Sequence, residues 1–181
     1  MFPAPSGANH NRAGFTLLEL LAVVGIIAIL AGLVLGVGRR AVESGKIARA
    51  KSEVVALSAA LEAYRRSYGD YPQTDDEARL LQALLGRRGP LNHAIAGRTL
   101  IETAKFTTAA ALDPFANNSA VLIDPWGQPY VYAYKSQTPW TNPGFVLYSI
   151  GPDGADSPAL LTGGLIDSAP TANDDNLYAN R

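Results

Sequence analysis

Arg12-Ala13-Gly14-Phe15-Thr16-Leu17-Leu18-Glu19 leads directly into Leu20-Leu21-Ala22-Val23-Val24-Gly25-Ile26-Ile27-Ala28-Ile29-Leu30-Ala31-Gly32-Leu33-Val34-Leu35-Gly36-Val37. Residues 20–37 carry no charge and no strongly polar side chain. At about 1.5 Å per residue, a helix of that length is about enough to cross a bilayer core. The stretch reads as a membrane segment. Glu19 stands at its entrance, and a carboxylate on an apolar helix costs about 2.5–3.5 kcal/mol toward the bilayer centre, less near an interface. Such a group needs a partner, and no Lys or Arg follows within a turn or two. The simplest cation is a chain-terminal amine held at similar depth. Cleavage after Gly14 would create one on Phe15, and among bundled identical chains the amine of one copy could neutralise Glu19 of the next.

Gly14-Phe15-Thr16-Leu17-Leu18-Glu19 followed by a long apolar helix resembles the type IV prepilin signature, shared by type IV pilins and by the pseudopilins of type II secretion. The resemblance implies that a prepilin peptidase cuts between Gly14 and Phe15 and methylates the new Phe15 amine. It also implies that Glu19 guides subunits into a filament. Two rival readings fit less well. A secretory signal peptide has an apolar region of about 7–15 residues; Gly36-Val37-Gly38 could pass for its cut, but residues 20–37 are too long and Glu19 would have no purpose. A plain anchor helix leaves Glu19 incidental. Gly32-Leu33-Val34-Leu35-Gly36 is also a GxxxG pattern that permits close helix contact, or a weak point in a helix that must loosen on assembly.

With a leader over residues 1–14 and a membrane helix over 15–38, residues 39–181 suffice for one small head that includes the second half of the long helix. The net charge of the 181-residue chain is -1, which gives no nucleic-acid footprint. The chain has no cysteine, so neither disulfides nor thiolate zinc sites staple it. One feature opposes the expected topology. Short cytoplasmic flanks are normally rich in Lys and Arg, yet only Arg12 precedes the apolar helix while Arg39, Arg40, Lys46, Arg49 and Lys51 follow it. The cleavage motif, which in the resembled family places leader inside and head outside, outweighs that count.

Ile47, Ala50, Val54, Leu57, Leu61, Tyr64 and Tyr68 recur at spacings of three and four, the stripe of an amphipathic helix. One helix from about residue 15 to 68 follows, ended by Gly69 and Pro72. Thr74-Asp75-Asp76-Glu77 reads as a capping box for a short helix over 78–85 closed by Gly86. Residues 87–119 have a weak pattern: Thr99-Leu100-Ile101 and Lys105-Phe106-Thr107 could form an irregular edge strand, and Asp113-Pro114 and Asn117-Asn118-Ser119 read as turns. His93 reads as a loop residue. Asp124-Pro125-Trp126-Gly127 is a turn, and residues 130–134 and 145–150 alternate as a hairpin of strands packed on the 47–68 stripe.

Asp124-Pro125-Trp126-Gly127-Gln128-Pro129-Tyr130 and Tyr148-Ser149-Ile150-Gly151-Pro152-Asp153-Gly154 resemble the head of the major pseudopilins, as does Gly69-Asp70-Tyr71-Pro72 after the long helix. The resemblance implies calcium in the loop after the last strand. Independently, Asp153-Gly154-Ala155-Asp156 and Asn173-Asp174-Asp175-Asn176 place oxygen ligands on two flexible segments, and calcium takes about six to eight oxygens. Asp153 and one or both of Asp174 and Asp175 are the expected ligands, with Asp156 and the Ser149 region as weaker ones; a solvated acidic tail is the alternative. The long excursion over 157–171 departs from the family pattern and blurs which Asp takes which place.

The expected fold is α+β and pilin-like: a long N-terminal helix packed on a small antiparallel sheet. The expected role is structural, not enzymatic: a pseudopilus subunit held in the inner membrane by a single pass with its head in the periplasm. Its expected partners are copies of itself, the prepilin peptidase, an inner-membrane assembly platform and minor pseudopilins. The alternatives are a type IV pilin for adhesion, motility or DNA uptake and, from a different class, a membrane-anchored binding module or hydrolase.

Overall fold

The stripe over 47–68 belongs to a single long helix: in the computed structural model, α1 runs Leu17–Tyr68. The structure describes residues 15–157, 160–167 and 169–179, without the side chains of residues 33–39. The chain divides into one unit up to Val42 and a second from Glu43 onward. In the first, the apolar side chains have no face to bury. Exposure runs from 48% at Val23 to 81% at Leu17, with Leu18, Leu20, Leu21, Val24, Ile26, Ile27, Ile29 and Leu30 in between. These positions circle the helix, so the whole perimeter is apolar. Among the described residues, no helix is long and apolar enough to cross a membrane.

In the second unit the helix becomes one-sided. Ala50, Val54, Leu57, Leu61 and Tyr64 are buried, whereas Lys51, Ser52, Arg65 and Arg66 face solvent. Helix α1 ends where Gly69 takes φ +86°, a left-handed conformation that a β-carbon disfavours. Helix α2, Glu77–Leu84, adds Leu80, Leu81 and Leu84 to the core. The expected capping box is corrected here. Asp76, not Thr74, is the N-cap, its carboxylate accepting from Arg79 N at 2.8 Å. Thr74 is instead drawn to the sheet, where its carbonyl accepts from Tyr134 N.

A three-stranded antiparallel sheet has the order β3 (Val131–Ala133), β4 (Val146–Ser149), β7 (Leu177–Tyr178), with Tyr132 opposite Leu147 and Tyr148 opposite Tyr178. Two small hairpins flank it: β1 (Thr107–Thr108) with β2 (Leu122–Ile123), and β5 (Leu160–Leu161) with β6 (Leu165–Ile166). The strand expected from residue 105 begins only at Thr107, because Thr103–Lys105 close a 3-10 turn; Thr99-Leu100-Ile101 forms no strand.

Strand β4 is buried along its whole length. Phe145 and Leu147 join the core made with α1 and α2, while Val146, Tyr148 and Ile150 form a second cluster with Leu160 and Ile166. The excursion over 157–171 therefore covers the sheet's other face. It is latched to the β3–β4 connection: Thr141 N and Asn142 N both donate to Gly163 O, and Asn142 Nδ2 donates to Gly164 O.

Asp70 ties the end of α1 to the sheet, accepting from Tyr134 Oη and Lys135 Nζ at 2.7 Å each and from Gln73 Nε2 at 3.0 Å. Burial pushes its carboxyl up, but the hydrogen bonds from Lys135, Tyr134, Gln73 and Tyr71 N outweigh it and hold the group below the usual aspartate range. A depressed folded-state pKa stabilises above the unfolded value and is lost as pH falls through the folded one. Below about pH 4 the melting temperature of the wild type should fall faster than that of Asp70→Asn, so that thermal melts of the two converge. Parallel pH profiles would remove Asp70 from the acid response.

Candidate functional site

The site has two parts, one in each unit. At the N-terminal end, Phe15 is 86% exposed. Gly14 lies outside the described residues. Glu19 already has a partner within the chain. Its Oε2 accepts from Thr16 N and from Thr16 Oγ1, both at 2.9 Å, while Glu19 N donates to Thr16 Oγ1 at 3.1 Å. This is a reciprocal capping box: Thr-x-x-Glu satisfies N–H groups that a helix start leaves without acceptors. The signal is present in the sequence as Thr16-Leu17-Leu18-Glu19, with the two capping side chains three residues apart. The box leaves Glu19 exposed at the start of the apolar helix.

In the head, a second set of acidic groups gathers after β4. The turn Asp124-Pro125-Trp126-Gly127 presents Asp124, 3% exposed, whose Oδ1 accepts from Trp126 N and Gln128 N while Oδ2 accepts from Ser149 Oγ at 2.6 Å. Ser149 is thereby committed to Asp124. At Gly151, φ is +81° and a β-carbon would sit 2.5 Å from Asp175 O. Only glycine lets the two segments approach there.

Of the four expected ligands, Asp153 and Asp175 meet: Asp153 N donates to Asp175 Oδ2 at 3.2 Å, and Asp153 Oδ1 accepts from Ala155 N. Asp156 joins a neighbouring polar group, accepting from Tyr148 Oη at 3.0 Å and from Asn176 Nδ2 at 3.3 Å. Burial, and then the Asp156 carboxylate, push the Tyr148 phenol far above its ordinary range. Asp174 is exposed and does not join. Buried Asn173 and Asn176 complete the loop, with Asn173 Oδ1 accepting from Ser157 N. Asp175 Oδ1 and Asn176 Oδ1 are buried with no hydrogen-bond donor among the described residues. Among the described residues, no three His, Cys, Asp or Glu side chains group as a metal site. A cation here would have to draw on amide and carbonyl oxygens as well, which calcium accepts.

An exposed apolar rod opened by a Gly-Phe-Thr-x-x-Glu cap, joined to a head with an Asp-Pro-Trp-Gly turn, is matched by two family models. One, described as the prokaryotic N-terminal methylation motif, covers residues 9–35. The other, type II secretion system (T2SS) protein G, covers residues 39–159. The chain belongs to the type II secretion system protein G family. A core protein G from Pseudomonas aeruginosa is 31% identical over 170 residues, covering 93% of this chain and 99% of the relative. Those from Escherichia coli K12 and Klebsiella pneumoniae are 31% and 28% identical, covering 81% and 80% of this chain and 86% and 88% of their own lengths. No solved structure matches. The protein is thus a pseudopilin, a structural subunit of a type II secretion pseudopilus, and the pilin-like α+β fold agrees with that family.

Proposed function

We propose that prepilin peptidase cuts this pseudopilin between Gly14 and Phe15 and methylates the Phe15 amine. Copies then assemble through their apolar helices into a periplasmic filament that drives protein export. The observation that carries the reading is the Gly14-to-Glu19 motif set directly before a helix whose apolar side chains are exposed all round. Before assembly, residues 20–37 anchor the chain in the inner membrane with the head in the periplasm; afterwards the same surface is buried between subunits. The filament grows on an inner-membrane platform together with minor pseudopilins. Family membership favours this over a type IV pilin. We assign no catalysis, because acidic groups of the head serve its backbone: Asp76 caps α2, while Asp113 and Asp124 accept N–H groups in turns.

The test is the intact mass and N-terminal sequence of the protein from its host's membranes. A chain beginning at methylated Phe15 is expected; one beginning at Met1 would sink the proposal. Glu19→Ala should insert and fold yet lose most filament formation. The Thr16 cap does not replace the intersubunit role: it holds Glu19 ready, and the Phe15 amine of a neighbour adds the charge.

Calcium, by this proposal, binds the loop through Asp153, Asp156, Asp174 and Asp175. The donor-less oxygens of Asp175 and Asn176 fit a hard cation, and Asp174 would turn inward to join them. The ion would neutralise the repulsion between the two acidic segments and fasten the end of the chain. At a calcium concentration tenfold above Kd, the stabilisation would be about 1.4 kcal/mol, or about 5 °C in Tm. Chelation should remove that increment from the wild type but not from Asp175→Ala. Identical melts of the wild type with and without calcium would reject the metal.

A further inference from the structure

The run of cations after the apolar helix has no role in assembly as described. Within residues 38–52, Arg39, Arg40, Lys46, Arg49 and Lys51 are accompanied by one carboxylate, Glu43. That carboxylate is held by the head: Trp126 Nε1 donates to Glu43 Oε1 at 2.7 Å. Arg49 is also committed, paired with Glu53 at 2.7 Å and bonded to Thr107 Oγ1. Arg40, Lys46 and Lys51 have no ion-pair partner among the described residues.

From these contacts we infer that the neck of the unassembled subunit binds the phosphates of anionic lipid headgroups, with Arg40 and Lys46 as the principal contacts. The inference rests on the membrane-anchored reading above. If the hydrocarbon core ends near Val37, a rise of about 1.5 Å per residue puts Arg40 about 5 Å and Lys46 about 14 Å farther along the helix. The headgroup layer is about 5–7 Å deep on each side, and attraction extends about a Debye length, 8–10 Å, beyond it. Arg40 therefore lies in the layer and Lys46 within reach of its field. The cations also do not share a face. At about 100° per residue, Lys46 and Lys51 are about 140° apart around α1. A headgroup layer encircles a helix, whereas a docked protein covers one side. Against the single carboxylate of Glu43, the five cations leave the neck with a positive excess.

The experiment uses the full-length chain in vesicles of phosphatidylethanolamine and phosphatidylglycerol in equal parts, with lipids retained on the protein counted by native mass spectrometry. Each neutralised cation should reduce the preference for phosphatidylglycerol about fivefold, the factor that corresponds to about 1 kcal/mol per basic residue. Arg40→Gln with Lys46→Gln should thus lower it about 25-fold, while Arg66→Gln at the far end of α1 leaves it unchanged. An unchanged preference in the neck variant overturns the inference. So does an equal loss in Arg66→Gln, which would mark non-specific attraction. Unchanged lipid retention with lost filament assembly also overturns it, by assigning the cations to a neighbouring subunit. Topology is tested separately. Ala155→Cys would give the chain its only thiol; labelling of that thiol by an impermeant maleimide in spheroplasts places the head outside. Failure to label overturns the proposed topology without altering the lipid count.

Discussion

Asp124→Ala should destabilise the head by about 3 kcal/mol and uncouple the Trp126 turn from β4. Its carboxylate is 3% exposed and accepts three hydrogen bonds, two from backbone N–H groups of the turn and one from Ser149 Oγ. Ser149 is fully buried, so its hydroxyl would be left with no acceptor where water cannot replace one. A buried polar group without a partner costs about 1–3 kcal/mol, and hydrogen bonds to charged groups are worth about 1.5–3 kcal/mol each. Gln128 is only half-buried, so water can reach its N–H in part, which keeps the total near the lower sum. Asp124→Asn separates the contributions. Its amide oxygen can still accept from the turn and its NH2 can donate to Ser149 Oγ, so the cost should drop to about 1 kcal/mol. Thermal unfolding of the full chain in detergent reads both variants, and equal losses would mean that charge, not hydrogen-bond geometry, holds the turn.

Glu53→Ala should cost about as much, for a different reason. Glu53 is a charged residue on the buried face of α1, 6% exposed, and it accepts from Arg49 Nε and from Tyr130 Oη. Arg49 in turn reaches Thr107, so the group joins the helix to β1 and to the residue that leads into β3. Removing one partner of a buried pair costs about 3–5 kcal/mol. Arg49 is 49% exposed and can be rehydrated, which favours the low end, about 3 kcal/mol. Tyr130, 1% exposed, cannot. Its phenol is pushed far above the ordinary range by burial first and then by Glu53. A folded-state pKa raised in this way makes stability fall as pH rises above about 10, the unfolded phenol value. Glu53→Gln should recover most of the loss by keeping an acceptor for Tyr130. A double-mutant cycle with Tyr130→Phe should give a coupling of about 1–2 kcal/mol, and additive losses would dissolve the pair.

The two networks explain why the head keeps one arrangement on α1. Leu57, Leu61 and Tyr64 would pack on many aromatic surfaces, but Glu53 must meet Tyr130 and Glu43 must meet Trp126. A helix rotated by one residue would bury a carboxylate without its phenol. The apolar stripe supplies adhesion and the polar pairs select the phase.

Local rules sufficed for much of this molecule. The spacing from Ile47 to Tyr68 placed the buried face of α1, Gly69 placed its end, and alternation over 130–134 and 145–150 gave the β3–β4 pair, because each depends on neighbours a few residues away. The Gly14-to-Glu19 signature was readable for the same reason, as a contiguous motif. Other features needed the chain to come back on itself. Glu53 is not part of the apolar stripe from Ile47 to Tyr68, and only Tyr130, 77 residues on, gives its buried carboxylate a donor from the sheet side. Thr74 looked like a cap until Tyr134 took its carbonyl. The segment over 157–171 had no readable period, yet it buries the second face of β4 and is fastened by hydrogen bonds to Gly163 and Gly164. The acidic loop was visible as composition, but only the fold joined Asp153 to Asp175, put Asp156 beside Asn176 and left Asp174 in solvent. Periodicity and capping are written in adjacent residues, whereas the pairing of buried charges and the choice among oxygen ligands are fixed by long-range contacts that no local pattern encodes.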